Sequence, residues 1–163
     1  MLLAGGLTAA SALDFRTRRI PNELTAAMAA TGLALSIAHL NGTSPLASLL
    51  GILVGALLML PGHVLGATGA GDVKLMGAVG SFIGPGAVVA AFLATAIAGG
   101  VLALVVAVRR GRMVTTLAHT RRLVTDGGRA KPAIEAAGTA NRFAYGPAIA
   151  VGTLLVVFGQ LRG

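Results

Sequence analysis

The chain has 163 residues, of which 55% are hydrophobic and only 11% are charged, a balance that predicts an integral membrane protein rather than a soluble domain. The net charge of +8 does not indicate nucleic acid, because aromatic residues for base stacking make up 4% of the chain and the basic residues fall between apolar stretches. The chain contains no cysteine, so disulfides and thiolate metal sites are excluded.

The first apolar stretch, residues 1–13, lacks the basic start and small-residue cleavage site of a secretory signal. It would reach only about 20 Å into a hydrocarbon core of about 30 Å. Either the helix therefore continues through Asp14 and Phe15 or the chain starts short. After a basic loop at residues 16–22, Pro21 and Asn22 are typical of a helix start, with Asn22 as a candidate cap.

The later apolar stretches complete an expected all-α, polytopic helical bundle of about six transmembrane helices in a single domain, residues 1–163. Gly51 and Gly55 are four residues apart in one predicted span, a spacing that lets membrane helices approach closely. The span at 73–84 is short and glycine-rich, so we expect its neighbours to shield it from lipid. The predicted spans after the first are residues 24–40, 46–65, 73–84, 87–108 and 144–161.

Eleven of the thirteen Lys and Arg residues lie in two loops, residues 16–22 and 109–143. Six alternating spans place both loops on one side of the membrane, which the positive-inside rule makes cytoplasmic. Within 109–143, apolar residues at helical spacing predict a short interfacial helix on anionic lipid. A docking surface for a protein partner is the alternative. The same alternation places Asp14 and Asp72 at the cytoplasmic boundary.

Asp14 and Asp72 are two of only five acids in the chain, and an ionisable group at membrane depth is a functional candidate. Two facing carboxylates in a partly dry site share a proton, which equips them to hydrolyse a peptide bond without a covalent intermediate. Asp72 would lie at a helix N-terminus, where the helix dipole favours the anion. Asp14, at the C-terminal end of the first helix, would meet the opposite field and hold the proton more readily.

Three residues around Asp72 are candidate substrate contacts. Gly69 and Gly71 leave room for an extended peptide held by main-chain hydrogen bonds. The alternative is a flexible turn between helices. Lys74 would either reach lipid headgroups or contact an acidic group of the substrate.

Three stretches carry a resemblance to a known family: DFRTRRIPN at residues 14–22, GAGDVKL at 69–75 and FAYGPAI at 143–149. Together they resemble the motifs of type IV prepilin peptidases, aspartyl proteases of the GxGD group. The resemblance implies that Asp14 and Asp72 are the catalytic pair and that no metal or other cofactor is needed. It also implies a pilin precursor as substrate, with a basic leader and a hydrophobic helix, cleaved at the cytoplasmic face of a bacterial inner membrane.

Larger members of that family carry a cysteine-bearing region and methylate the new terminus, so this chain is most similar to short peptidase-only members associated with Tad/Flp pili. Two other functions stay open from the residues. The aspartates could bind a cation or proton in a membrane carrier, or the chain could be an inactive subunit of a pilus or secretion machine. The sequence does not indicate an oligomeric state.

Overall fold

The computed structural model of the protein describes residues 1–17, 19–65, 68–109 and 145–160, and within these ranges the chain forms helices and no strands. The helices are α1 (Leu2–Thr17), α2 (Asn22–Ile37), α3 (Pro45–Val64), α4 (Ala70–Arg109) and α5 (Gly146–Gln160). The expected all-α fold is therefore confirmed for this part of the chain. The predicted interfacial helix lies outside the described residues.

The helix starts differ in one respect from those predicted. The first helix continues through Asp14 and Phe15, which is the first of the two alternatives that the short apolar stretch at residues 1–13 left open. α2 begins at Asn22 with Pro21 in the capping position and no side-chain cap. The prediction that Asn22 caps this helix is thus wrong, because its Oδ1 instead accepts a hydrogen bond of 2.8 Å from Lys74 Nζ.

α4 is broken at Gly84, which has a φ of 76° and a ψ of 177°. A straight helix, rising about 1.5 Å per residue, would hold residues 72 and 99 about 40 Å apart. Yet Tyr145, which precedes α5, lies against Gly99, and its neighbour Gly146 bonds Asp14, near where Gly71 lies against Ile20. The chain therefore reverses at Gly84, where the sequence predicts a turn, and α4 consists of two helical segments, residues 70–83 and 85–109.

The first segment of α4 is the centre of the bundle, and residues 75–82 are all buried. This confirms that neighbouring helices shield the predicted span 73–84. α3 packs closely along it because Gly51 faces the carbonyl of Gly80 and Gly55 faces the carbonyl of Met76. Side chains larger than glycine would hold the two backbones apart.

The outward faces of the helices are apolar. Pro45–Val64 and Ala70–Leu102 are each long and apolar enough to cross a membrane, the second including the break at Gly84. Exposed leucines run along the whole of α3, at Leu46, Leu49, Leu50, Leu53, Leu57 and Leu60. Continuous apolar surfaces of this kind are typical of helices that contact lipid.

One end of the bundle contains the start of α1 and the turns next to Gly84. A cavity of about 410 Å³ there is lined by Leu3, Thr43, Phe82 and Gln160 among others. Thr43 lies in the turn between α2 and α3 and donates a hydrogen bond of 3.1 Å to the Phe82 carbonyl, which connects this turn to α4. Because α1 starts at this end, its last turn reaches the opposite end of the bundle.

Candidate active site

Asp14 lies in the last turn of α1 and is 6% exposed. Its Oδ2 accepts a hydrogen bond of 2.9 Å from the backbone N–H of Gly146, the first residue of α5. The N–H groups at a helix start have no partner within the helix and carry the positive end of its dipole. Asp14 therefore lies at a helix N-terminus as well as at the end of its own helix.

This position changes the expected electrostatics of the pair. From the sequence alone, the field of the first helix is the one expected to act on Asp14, and it disfavours the anion and would leave the proton there. The Gly146 N–H and the start of α5 favour that anion. The helix fields therefore do not distinguish the two aspartates, and this basis for giving the proton to Asp14 is lost.

Asp72 lies in the first turn of α4 and is 7% exposed. Its Oδ2 accepts a hydrogen bond of 2.8 Å from the Gly69 N–H. In return the Gly69 carbonyl accepts hydrogen bonds from the N–H groups of Asp72, at 3.1 Å, and Val73, at 3.4 Å. An acidic side chain that reaches back to the N–H before its helix is one half of a capping box. The glycine turn thus fixes the orientation of its own acid.

The two aspartates lie at the same end of the bundle. Gly146 bonds Asp14, and Gly71, the residue before Asp72, lies against Ile20, six residues after Asp14. Residues far apart in sequence, on α1 and α4, therefore come to one end of the bundle, with the N-terminus of α5 beside Asp14.

Tyr145 and Gly146 belong to the third of the family-like stretches, residues 143–149, but the sequence alone predicts no role for either of them. One local signal was present: a glycine followed by a proline opens a predicted span, and proline favours the first turn of a helix. The contact with Asp14 could not be read from this signal, because it joins residues 132 positions apart.

The three candidate substrate contacts all lie near Asp72, but their neighbours are parts of this chain. The N–H and carbonyl of Gly69 both bond within the α4 cap. Gly71 faces Ile20, whose Cβ lies 3.1 Å from where a Cβ on residue 71 would be. Lys74 bonds Asn22, so it ties α4 to the start of α2. Their role in substrate binding stays a prediction.

Two buried carboxylates that accept backbone N–H bonds at one end of a bundle have the groups that acid–base chemistry on a peptide needs, since one can accept a proton while the other donates one. Comparison with known proteins gives a consistent result. A family model described as the type IV leader peptidase family matches residues 1–104, which include α1 with Asp14 and the Gly69–Asp72 turn. Neither the curated proteins nor the solved structures compared gave a match. The matched segment covers well over half of the chain, so the chain belongs to the type IV leader peptidase family.

Proposed function

We propose that this protein is a prepilin leader peptidase that uses Asp14 and Asp72 as a catalytic dyad. The observation that carries the proposal is that these two buried carboxylates lie at the same end of the bundle, each with its Oδ2 bound by a backbone N–H. Family membership supports the reaction class, and the geometry supports the choice of residues.

The dyad acts on a water molecule held between the carboxylates and the scissile peptide bond. One aspartate is ionised and takes a proton from the water as its oxygen attacks the carbonyl carbon. The other is protonated and donates its proton to the carbonyl oxygen. Collapse of the tetrahedral intermediate breaks the C–N bond, and the leaving nitrogen takes up a proton from the dyad.

The backbone N–H groups fix the geometry of this step. Gly69 and Gly146 each donate to Oδ2 of one aspartate, so neither carboxylate rotates freely. Catalysis depends on such preorganised positions, because about 1 Å of misplacement can reduce the rate on the order of 100-fold. Both aspartates are also mostly buried, which strengthens their coupling.

The protein would act from within a bacterial inner membrane, crossing it six times with the dyad at the cytoplasmic face. The reversal at Gly84 supports this topology, because it makes two antiparallel segments of α4 and leaves residues 72 and 99 near the same end. The basic loops predicted at that end support the cytoplasmic orientation.

The proposed substrate is a precursor of a Tad/Flp-like pilin, with a basic leader and a hydrophobic helix. The apolar surface of α3 supports this substrate, because such a surface is typical of helices in lipid, where a hydrophobic substrate helix is also soluble. Cleavage between leader and helix would occur where the helix leaves the lipid, at the depth of Asp14 and Asp72.

Co-expression with a candidate prepilin, followed by gel shift, tests this function. We expect leader removal by the wild type and none by Asp14→Asn or Asp72→Asn. Glu23→Gln is the control, because Glu23 is an exposed acid in the first turn of α2. Normal processing by either aspartate variant would refute the dyad. Cation binding without cleavage of any of several pilins would favour the carrier function, and neither activity would favour an inactive subunit.

A further inference from the structure

The connection between α1 and α2 contributes one buried side chain to the bundle. Of the described residues 15–17 and 19–22, Ile20 alone is buried, whereas the equally apolar Phe15 is 75% exposed. Ile20 packs on the turn that carries Asp72. A Cβ on Gly71 would lie 3.1 Å from Ile20 Cβ and 3.5 Å from Ile20 Cγ1, so only a residue without a side chain allows this approach.

The connection is also held to α1 at its beginning. The Thr17 hydroxyl lies 2.9 Å from the carbonyl oxygen of Leu13 and 2.9 Å from that of Arg19. Leu13 precedes Asp14 on α1, and Arg19 precedes Ile20. Thr17 therefore ties the residue before Ile20 to the part of α1 that carries Asp14.

On α4, contacts with this connection lie on both sides of Asp72. Gly71, one residue before it, lies against Ile20, and Lys74, two residues after it, donates a hydrogen bond of 2.8 Å to Asn22. The Lys74 bond is exposed and contributes little, whereas Ile20 removes apolar surface from water. The Ile20 contact is therefore the main attachment of the connection to this turn.

We propose that Ile20 is a positioning residue, whose contact with Gly71 holds the Asp72 turn at a fixed distance from Asp14. Ile20 supplies no reacting group and acts through the backbone of the turn. Two carboxylates act on one water molecule only when their separation is fixed, and about 1 Å of misplacement can reduce a rate on the order of 100-fold. The role of the contact in catalysis rests on the proposed function, whereas the contact itself does not.

The same contact bears on the predicted role of Gly71 in substrate binding. A Cβ at this position would already meet Ile20, so a peptide strand could lie against Gly71 only if the connection between α1 and α2 opened. A positioning contact, in contrast, stays closed throughout the reaction. The two alternatives therefore predict opposite effects of a covalent bond that locks the contact.

A designed disulfide tests the contact without any substrate, because the chain contains no cysteine. Cβ atoms at positions 20 and 71 would lie 3.1 Å apart, close to the spacing of about 3.5–4.5 Å in disulfides. We expect Ile20→Cys/Gly71→Cys in membranes to lose both thiols to copper–phenanthroline oxidation, measured by maleimide labelling. Ile20→Cys/Gly69→Cys is the control and should keep its thiols, because no atom of Ile20 lies within 4 Å of a Cβ at position 69. Failure of the first pair to oxidise, or equal oxidation of both pairs, would overturn the contact.

The activity of the crosslinked chain separates positioning from opening. Oxidised Ile20→Cys/Gly71→Cys should cleave a prepilin without cysteine at least as fast as the same chain after reduction, because the disulfide holds the turn in place. The wild type should respond to neither treatment. Activity that is lost on oxidation and regained on reduction would show that the connection must open, and would overturn the positioning role.

Kinetics of single variants test the consequence for catalysis. We expect Ile20→Ala to lower kcat for prepilin cleavage by about 10-fold with little change in KM, because one carboxylate is misplaced. Ile20→Val should retain most of the activity, since it keeps the β-branched side chain that meets Gly71. Val88→Ala is the control for lost packing: Val88 is fully buried in the second segment of α4, near the opposite end of the bundle.

Both alanine variants should lower the midpoint of thermal unfolding, but only Ile20→Ala should lower kcat. Equal kcat in these two variants would contradict the positioning role. If no variant, including the wild type, cleaves prepilin, the proposed function fails, while the oxidation experiment still decides whether Ile20 contacts the Asp72 turn.

Discussion

Substitution of Gly146 by alanine should impair the dyad without unfolding the bundle. A Cβ at this position would lie 2.9 Å from Asp14 Oδ2 and 3.2 Å from Asp14 Cβ. Comfortable non-bonded contacts begin at about 3.5 Å, so the carboxylate or the start of α5 must move by about 0.5 Å. The hydrogen bond of 2.9 Å from the Gly146 N–H to Asp14 is then stretched or lost.

The size of the effect follows from that bond. A hydrogen bond to a charged group contributes about 1.5–3 kcal/mol, and each 1.4 kcal/mol or so corresponds to a factor of ten in rate. We therefore expect kcat for cleavage of a purified prepilin to fall about 10- to 100-fold in Gly146→Ala. KM should stay close to the wild-type value, because the change moves the reacting group rather than the bulk of the substrate.

Gly159→Ala on the same helix is the control, since nothing lies within 4 Å of its new methyl group. Its activity should equal that of the wild type. Thermal unfolding in detergent should give similar midpoints for the two variants, because alanine favours helix over glycine by about 1 kcal/mol. A fully active Gly146→Ala variant would refute the claim that Asp14 is held by this N–H.

Further changes probe the packing, the turn and the surface. Gly51→Ala should lower the free energy of unfolding by about 1–3 kcal/mol, because its methyl group meets the facing α4 backbone. Gly84→Ala should lower the free energy of unfolding by about 1–3 kcal/mol, because residue 84 has φ 76° and ψ 177°, a backbone region that essentially only glycine adopts. Lys74→Gln removes the exposed bond to Asn22 and should change the free energy of unfolding by less than about 1 kcal/mol.

Each of these changes can be followed by reversible thermal or denaturant unfolding in one detergent. Gly86→Ala is the control for the two glycine variants of the bundle, since nothing lies within 4 Å of its corresponding position. A Gly51→Ala variant as stable as this control would contradict the close approach of α3 and α4.

Much of the fold could be predicted because the helices coincide with long apolar segments that polar turns separate in the sequence. Helices α1 to α3 lie within a few residues of their predicted spans, and the turn predicted at residues 84–86 coincides with the break in α4. The number of membrane crossings stays a prediction, because apolar length identifies two helices that could cross, one of which contains that break.

The site was partly accessible from sequence for a different reason. Acids are so rare in this chain that Asp14 and Asp72 stand out. The GAGD turn caps its own helix through a local hydrogen bond between Gly69 and Asp72. The partner of Asp14 was not accessible, because a backbone N–H has no side-chain signature. The cap of α2 was wrongly predicted for a similar reason: Asn22 has a tertiary partner, Lys74, that competes with the local hydrogen bond.

The most direct test of the central claim is cleavage of a purified prepilin by the purified chain carrying Asp14→Asn, Asp72→Asn or both. If the two aspartates act as one unit, each single variant should lose essentially all activity above background, and the double variant should be no worse than either. Circular dichroism should show that the helical content of the wild type is retained. Substantial cleavage by either single variant would contradict the account.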